Sequence, residues 1–252
     1  MKIMTDTHIH TGQFYDVHYD PLEVIGIITD AGVEESVFSS TTSGKDDVQY
    51  AEIEQEIAVV VSRYSPDTIK PFLWYIPDYI DQGISVEMAM KGLPYKGIKL
   101  HPRAHHWDFA DTRALDTLHE LFEYASQHKL PVLIHTGYDA QDEANRFSSF
   151  FDEYPAARCI LAHCRPLDQT IKLLAAYPNV YCDTAFVEEA DLRFIMKAGF
   201  ASRVLLGSDF PITHYFRSKY PPNGSGDTPT LTEQYAADLK QLRRYSGIIQ
   251  TV

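Results

Sequence analysis

Cysteine is scarce in this chain of 252 residues, and its three cysteines form no recognisable pair. Cys159, Cys164 and Cys182 are an odd number, and no two of them have the C-x-x-C spacing. A disulfide framework would need an even set, and a cysteine zinc site would need closely spaced pairs. We therefore predict reduced thiols that are mostly buried as small apolar side chains.

Long apolar runs are also absent from the sequence. No run reaches the roughly 18 residues that a membrane-spanning helix needs. The N-terminal segment 1–6 becomes polar too early for a signal peptide. We predict a cytoplasmic protein without a membrane partner.

Positive charge is in short supply, because 22 Lys and Arg stand against 35 Asp and Glu, which gives a net charge of −13. Binding to nucleic acid needs a basic face, so this balance argues against a nucleic-acid partner. A small-molecule substrate remains compatible with it, since a local basic pocket can bind a small anion. A homodimer is the default assembly, and nothing in the sequence indicates a larger one.

What the sequence does contain is a regular alternation of short β-rich runs with helical patterns. Several runs are almost continuously apolar, as in parallel strands that are covered on both faces. Eight such units, in a length typical of this fold, predict a single α/β domain over 1–252, a distorted (β/α)₈ TIM barrel. A doubly wound open sheet is the alternative, but no glycine-rich phosphate loop follows the first run. The runs are 3–9, 35–39, 70–76, 96–101, 131–136, 158–163, 179–184 and 203–209.

Helical periodicity fills the intervals between these runs. Pro21 after Asp20 marks the start of a helix, Gly32 marks its end, and Thr112 is predicted to cap a later helix. Segment 210–229 is rich in Pro and Gly and predicts a long functional loop over the barrel mouth. Further helices are predicted at about 46–64, 167–176, 188–199 and 230–245.

Histidine and aspartate recur where the predicted strands end. Side chains alternate along a strand, so His8 and His10 share one face, and barrels collect catalytic groups at the carboxyl ends of their strands. Neutral imidazole together with carboxylate suits Zn²⁺, Fe²⁺ or Mn²⁺. The strand-end residues are His8, His10, His101, His135, His163 and Asp209.

Each of these residues alone has an ordinary explanation. A single His-x-His is often structural, His135 could be a core histidine, and Asp209 could orient a loop. Together they would bury several histidines and an aspartate at one end of a barrel, which is costly without a partner. The combination therefore favours a divalent metal centre.

Lys99 shares the inward face with His101, and lysine is rarely buried without a partner. Three interpretations stay open: an ion pair with Asp6 or Asp183, a cation that polarises the substrate, or a carbamylated bridge between metal ions. His163 is either a further metal ligand or a general acid or base, because an imidazole titrates near neutral pH.

Basic side chains after the predicted strands could bind the substrate. Arg103 lies in the loop after the fourth run, where it could clamp a carboxylate or phosphate. A lone arginine is more often part of a surface ion pair, and Arg165 has the same two interpretations. We include His101 with them as a candidate substrate-binding residue.

The strand-end motifs, taken in order, resemble the amidohydrolase superfamily of metal-dependent hydrolases. The most similar branch is the amidohydrolase-related group that includes aminocarboxymuconate-semialdehyde decarboxylase. The resemblance extends over nearly the whole chain. Its motifs are TDTHIH at 5–10, GIKLHP at 97–102, VLIH at 132–135, LAH at 161–163 and GSDFP at 207–211.

This resemblance implies roles for individual residues. His163 would be catalytic beside one metal ion and a ligand beside two, and Lys99 lies on the strand where phosphotriesterase-like members carry a carbamylated lysine. TatD-like nucleases typically have a glutamate near that position, so Lys99 and the acidic charge speak against a nuclease. The metal ligands implied by the resemblance are His8, His10, His135 and Asp209.

The resulting prediction is a hydrolase that cleaves an ester, lactone or amide bond of a small molecule through a metal-activated water. One ion is expected, most simply Zn²⁺ and otherwise Mn²⁺ or Fe²⁺. If the centre is binuclear, His163 and Lys99 would be the ligands of the second ion. Asp209 or His163 would be the general base, and the metal ion, Lys99 or His163 would polarise the carbonyl. The alternatives are a metal-dependent, non-oxidative decarboxylase of an unsaturated or aromatic acid, and a non-catalytic metal- or ligand-binding barrel.

Overall fold

The computed structural model describes residues 5–44, 47–221 and 228–250. Within these ranges the chain forms one sheet of nine strands, eight of which run parallel and build the wall of a barrel. The short β2 pairs antiparallel with the end of β1. The strands are β1 (Thr5–Phe14), β2 (Val17–Tyr19), β3 (Glu35–Ser40), β4 (Ile69–Trp74), β5 (Gly97–Leu100), β6 (Pro131–Ile134), β7 (Arg158–Leu161), β8 (Val180–Asp183) and β9 (Val204–Leu205).

The barrel closes where its last strand returns to its first. Asp209 N donates to His8 O, and His10 N donates to Phe210 O, both at 2.8 Å. These bonds come from the segment after β9, because β9 itself covers only Val204–Leu205 of the predicted run 203–209. The predicted single-domain TIM barrel is confirmed, and its distortion lies in this short final strand.

Ten helices accompany the strands in the described ranges, and none of them is long and apolar enough to cross a membrane. The first begins as predicted, because the Asp20 side chain accepts hydrogen bonds from Leu22 N and Glu23 N. The helices are α1 (Pro21–Asp30), α2 (Tyr50–Val61), α3 (Asp78–Asp81), α4 (Val86–Gly92), α5 (Thr112–His128), α6 (Ser148–Glu153), α7 (Leu167–Ala176), α8 (Glu189–Lys197), α9 (Ile212–Lys219) and α10 (Leu231–Gln250).

Two predictions about helices were wrong in detail: the residue that caps α5, and the absence of a helix from segment 210–229. The cap of α5 is Asp111 and not Thr112: the Asp111 carboxylate accepts from Arg113 N, and Thr112 is already the first helical residue. The predicted loop 210–229 contains α9, over Ile212–Lys219. Its Pro and Gly residues lie at the two ends of the segment and leave this stretch free of helix breakers. Residues 222–227 lie outside the described ranges.

The barrel interior below the carboxyl ends of the strands is filled by apolar side chains. Gly97 provides the space for one of them, because a Cβ at this position would lie 2.5 Å from Phe72 Cζ. Full burial of such a side chain stabilises the fold by about 1.5–3 kcal/mol. The interior cluster consists of Val37, Phe72, Leu133, Ile160 and Ala162.

Candidate metal centre

Three side chains from the two sides of the barrel seam meet at its carboxyl end. His8 and His10 come from β1, and Asp209 follows β9. His8 Nε2 lies 3.1 Å from His10 Nε2 and 3.2 Å from Asp209 Oδ1. His10 Nε2 lies 3.0 Å from Asp209 Oδ1. All three side chains are buried, so the structure brings three of the four predicted ligands together.

The spacing of this triangle fits a divalent metal ion. Zinc bonds of about 2.0–2.1 Å in a tetrahedron place neighbouring ligand atoms about 3.3 Å apart. The three observed edges are 3.0–3.2 Å long. Gly207 lets the segment after β9 approach β1 this closely, because a Cβ there would lie 2.8 Å from His8 Cβ. The donor set of two imidazoles and one carboxylate therefore suits Zn²⁺ in both chemistry and spacing.

Both histidines of the triangle have a hydrogen-bonding partner on their other ring nitrogen. His8 Nδ1 lies 2.7 Å from Asp183 Oδ2, and His10 Nδ1 lies 3.1 Å from Ser39 Oγ. Histidines that bind metal ions usually have such a partner, which fixes the ring orientation and the tautomer. The two imidazoles are thus held with their Nε2 atoms facing Asp209.

The backbone turns sharply at two residues of the centre. His163 has a φ of 69° within the turn Ala162–Cys164, and Asp209 has a φ of 61°. Positive φ is uncommon outside glycine and is found preferentially at functional sites. The turn at Ala162–Cys164 explains why β7 ends at Leu161, two residues before the end of the predicted run 158–163.

The His163 side chain connects the triangle to a second pair of histidines. Its Nδ1 lies 3.2 Å from Ala185 O, which can only accept, so Nδ1 carries the proton. Its Nε2 lies 3.0 Å from His135 Nδ1, and its ring centroid lies 5.2 Å from that of His8. His163 is therefore beside the triangle, at hydrogen-bonding distance from His135.

His135 itself lies outside the triangle, and its predicted role as a fourth ligand stays a prediction. Its ring stacks on that of His101, with centroids 3.7 Å apart and planes within 11°. The two rings and Asp142 form a separate histidine–aspartate group. His101 Nδ1 lies 3.7 Å from Asp142 Oδ1, and His135 Nε2 lies 3.8 Å from Asp142 Oδ2. The lone pair of an imidazole nitrogen lies in the plane of its ring. Because the two ring planes are nearly parallel, His101 Nδ1 and His135 Nε2 do not point at a single ion in this arrangement.

Lys99 extends from β5 towards the triangle. Its Nζ lies 3.1 Å from His8 Nε2 and 5.7 Å from the centre of the Trp74 ring, and the side chain is buried. The ion pairs with Asp6 or Asp183 that the sequence suggests do not form within the described ranges. Asp183 instead contacts His8, and Asp6 accepts a hydrogen bond from Tyr235 Oη. Burial lowers the pKa of Lys99 to about 8, although the field of Asp209 opposes this change.

The protonation states around the triangle are those that metal binding requires. Burial lowers the pKa values of His10 and His163 to about 4, so both imidazoles are neutral near pH 7. Burial alone would raise the pKa of Asp209, but the neighbouring His8 and His10 hold it well below its usual range. An ionised carboxylate and neutral imidazoles are the forms that coordinate metal ions.

The three predicted substrate-binding residues occupy different positions around the centre. His101 is half-buried and lies between the rings of Trp74 and His135. Arg165 is half-buried and donates to Phe186 O at 3.1 Å. Arg103 is exposed, and its backbone N donates to Asp142 Oδ1 at 3.0 Å. The structure thus places His101 against the candidate centre and Arg103 on the surface.

Sequence reasoning did not assign Asp183 and Asp142 to the site. Asp183 has a usable signal, since it lies at the end of a predicted strand just as the histidines do, but that signal indicates only a partner for Lys99. Asp142 had none, because it lies in the loop after β6 and reaches the histidines through the fold. A separate cavity of about 550 Å³, lined by residues that include Phe186, Phe216 and Asp238, does not contain the triangle.

Comparison with protein families gives a match to the family described as amidohydrolase over residues 6–239. That span contains every residue of the triangle. A search of the curated proteins finds no match.

Solved structures with a similar fold cover nearly the whole chain. An uncharacterised TIM-barrel protein from Bordetella bronchiseptica has 15% identity and a TM-score of 0.58, covering 98% of this chain and 100% of its own. A probable 2-pyrone-4,6-dicarboxylic acid hydrolase from Acinetobacter baumannii, with citric acid bound, has 12% identity and a TM-score of 0.58, covering 98% and 95%. Amidohydrolase 2 from Bifidobacterium longum subsp. infantis has 14% identity and a TM-score of 0.56, covering 97% and 100%. At these identities the similarity concerns the fold alone.

Proposed function

We propose, from the premise that this chain belongs to the amidohydrolase family, that it is a metal-dependent hydrolase of a small molecule. The observation that carries the proposal is the triangle of His8 Nε2, His10 Nε2 and Asp209 Oδ1, with edges of 3.0–3.2 Å. Burying two imidazoles and a carboxylate side by side is unfavourable without a partner. Their cost of burial is offset when a cation binds between them.

A single divalent ion, most simply Zn²⁺, would be held by these three side chains, with His135 as the fourth predicted ligand. When bound, such an ion lowers the pKa of a water ligand to about 7 and polarises a carbonyl group. Asp209 and His163 are the groups that we propose as proton acceptors beside it. His163 Nε2 is suited to this because Nδ1 is held in its protonated form by Ala185 O.

Lys99 supplies positive charge where the reaction develops negative charge. Because its pKa is about 8, its ammonium group is largely protonated at neutral pH. A cation in a buried site stabilises an oxyanion more strongly than a cation in water does, because little solvent screens it. This role accounts for a buried Lys99 next to His8 that forms no direct ion pair with the residues that the structure describes.

The substrate that we propose is an ester, lactone or amide that carries a small carboxylate. Arg165, two residues after His163, and His101, which stacks on His135, would bind an anionic group, with Arg103 on the loop after β5. A lactone dicarboxylate is a sensible first test compound, since one protein of similar fold is named a probable 2-pyrone-4,6-dicarboxylic acid hydrolase.

The proposal is tested by incubating Zn²⁺-loaded protein with a panel of lactones, esters and amides of small carboxylic acids in ¹⁸O-labelled water. Hydrolysis incorporates one labelled oxygen into the product. Release of carbon dioxide without incorporation would identify a decarboxylase instead. If the metal-loaded protein turned over neither these compounds nor unsaturated or aromatic acids, a non-catalytic metal-binding protein would be the better description.

A further inference from the structure

Asp183, at the end of β8, lies between two histidines of the candidate centre and is fully buried. Its Oδ2 lies 2.7 Å from His8 Nδ1. Its Oδ1 accepts hydrogen bonds from His163 N at 3.0 Å and from Ala185 N at 3.1 Å. One carboxylate therefore contacts the ring of one histidine and the backbone of the other.

These contacts engage both carboxylate oxygens of Asp183 within the protein. Spacing alone groups His8, His163 and Asp183 as a conceivable ligand set. Coordination by Asp183 would, however, compete with its contact to His8 Nδ1 or with its two hydrogen bonds from backbone N–H groups. Weakening these hydrogen bonds in a buried site is unfavourable. The arrangement is that of a residue that orients ligands.

We infer that Asp183 is a positioning residue that holds His8 as the tautomer protonated on Nδ1, which leaves the Nε2 lone pair for the metal ion. An ionised carboxylate only accepts, so the hydrogen of the 2.7 Å contact belongs to His8 Nδ1. In a neutral imidazole the other nitrogen is then the acceptor, and it faces His10, Asp209 and Lys99. The effect on metal binding rests on the proposed function, whereas the contacts of Asp183 with His8 and His163 do not.

The same carboxylate also stabilises the turn that carries His163. The φ of 69° at His163 is a strained conformation for a residue with a side chain. The bond from His163 N to Asp183 Oδ1 satisfies a buried backbone donor within this turn. Asp183 thus couples the tautomer of His8 to the position of His163.

Substitution by asparagine should reverse the tautomer, because only one of the two side-chain atoms can then accept. The N–H groups of His163 and Ala185 both need an oxygen, so the amide oxygen would face them. The amide NH₂ group would then face His8 Nδ1 and donate to it. His8 would be protonated on Nε2, the atom that must be unprotonated to bind a metal ion.

The experiment measures the tautomer and the metal affinity separately. Histidine ring nitrogens are observed by NMR in ¹⁵N-histidine-labelled, metal-free full-length protein, with His8 assigned by loss of its signals in His8→Gln. Wild-type His8 should be protonated on Nδ1, and His8 in Asp183→Asn should be protonated on Nε2. Zn²⁺ affinity, measured by competition with a chromophoric chelator, should fall about 10–100-fold in Asp183→Asn. The matched control is Asp168→Asn, an exposed aspartate on α7, which should change neither quantity.

The outcomes distinguish this inference from the proposed function. Wild-type His8 protonated on Nε2, or unchanged Zn²⁺ affinity in a folded Asp183→Asn variant, would overturn the inference. If Asp183→Asn does not fold, the wild-type tautomer alone decides the matter. If wild-type protein binds no Zn²⁺, the proposed function fails, while the tautomer measurement still tests the role of Asp183.

Discussion

Asp209 Oδ1 lies 3.0 Å from His10 Nε2, so the two ends of the barrel sheet meet through side chains as well as through the backbone. His10 belongs to the first strand and Asp209 follows the last one, and they are 199 positions apart in the sequence. Closing the barrel therefore also assembles the candidate metal centre. The site and the fold depend on the same seam between β1 and the segment after β9.

Replacing Asp209 by Asn should abolish turnover and weaken Zn²⁺ binding while leaving the fold intact. The amide keeps the shape of the side chain, and the backbone bond from Asp209 N to His8 O is unaffected. What is lost is the negative ligand and proton acceptor. Far-UV circular dichroism should match wild type, and kcat should fall at least about 10³-fold. Near-normal turnover in this variant would contradict the proposed role.

Replacing Lys99 by Met should lower kcat by about 10²–10³-fold without changing the metal content. The variant keeps an unbranched side chain of similar length but removes the charge that lies 3.1 Å from His8 Nε2. Metal analysis and steady-state kinetics on the same preparation would check this. A loss of one of two metal equivalents would instead identify Lys99 as a bridging, carbamylated ligand.

Replacing Arg165 by Gln should raise KM for an anionic substrate roughly tenfold with a smaller change in kcat. A charge-assisted hydrogen bond to a carboxylate contributes about 1.5–3 kcal/mol, and tenfold corresponds to about 1.4 kcal/mol. Arg103→Gln is the matched comparison, since Arg103 is exposed on the neighbouring loop. Equal KM values for all three proteins would exclude both arginines from substrate binding.

The buried Asp238 of α10 should make the protein less stable as the pH rises from about 4 to about 7. Burial raises the pKa of Asp238 from its ordinary value of 3.8 to about 7. Between these values the folded protein holds a proton that the unfolded chain has released, so its free energy of unfolding falls with increasing pH. The slope from this group should approach, at most, about 1.4 kcal/mol per pH unit.

The variant Asp238→Asn should flatten this part of the stability profile. Its amide oxygen can still accept from Thr213 Oγ1. Its NH₂ group can bond to Gln234 once that amide rotates, because Gln234 Oε1 has no hydrogen-bond partner. Urea unfolding at several pH values would measure the difference, with Asp168→Asn as the surface control. An unchanged slope in Asp238→Asn would show that this carboxyl group does not titrate as stated.

Much of the fold could be predicted from the sequence because the signals were local. The alternation of apolar runs with helical periodicity identified all eight barrel strands, and a local signal placed the start of α1 at Pro21. The predictions were wrong where tertiary contacts determine the local backbone conformation. Helix α9 lies between Pro- and Gly-rich ends that masked its periodicity. The end of β7 was placed too late, since the positive φ of His163 has no signature in the sequence.

The sequence predicted those residues of the candidate site that lie at or just after the ends of strands. His8, His10 and Asp209 were identified by residue type and strand position, and the structure brings them together. The partners of these residues were not identified. Ser39 and Asp183 reach the imidazoles only because β3 and β8 curve around the same barrel mouth, which no spacing along the chain encodes.

The metal content of wild-type protein, purified without chelators and measured by elemental analysis, tests the central claim most directly. The account predicts about one equivalent of a divalent ion per chain, most simply zinc, and its loss in a His8→Gln, His10→Gln double variant that remains folded. About two equivalents would indicate a binuclear centre with His163 and Lys99 as ligands. Protein that contains no metal, and gains none on incubation with Zn²⁺ or Mn²⁺, would contradict the account.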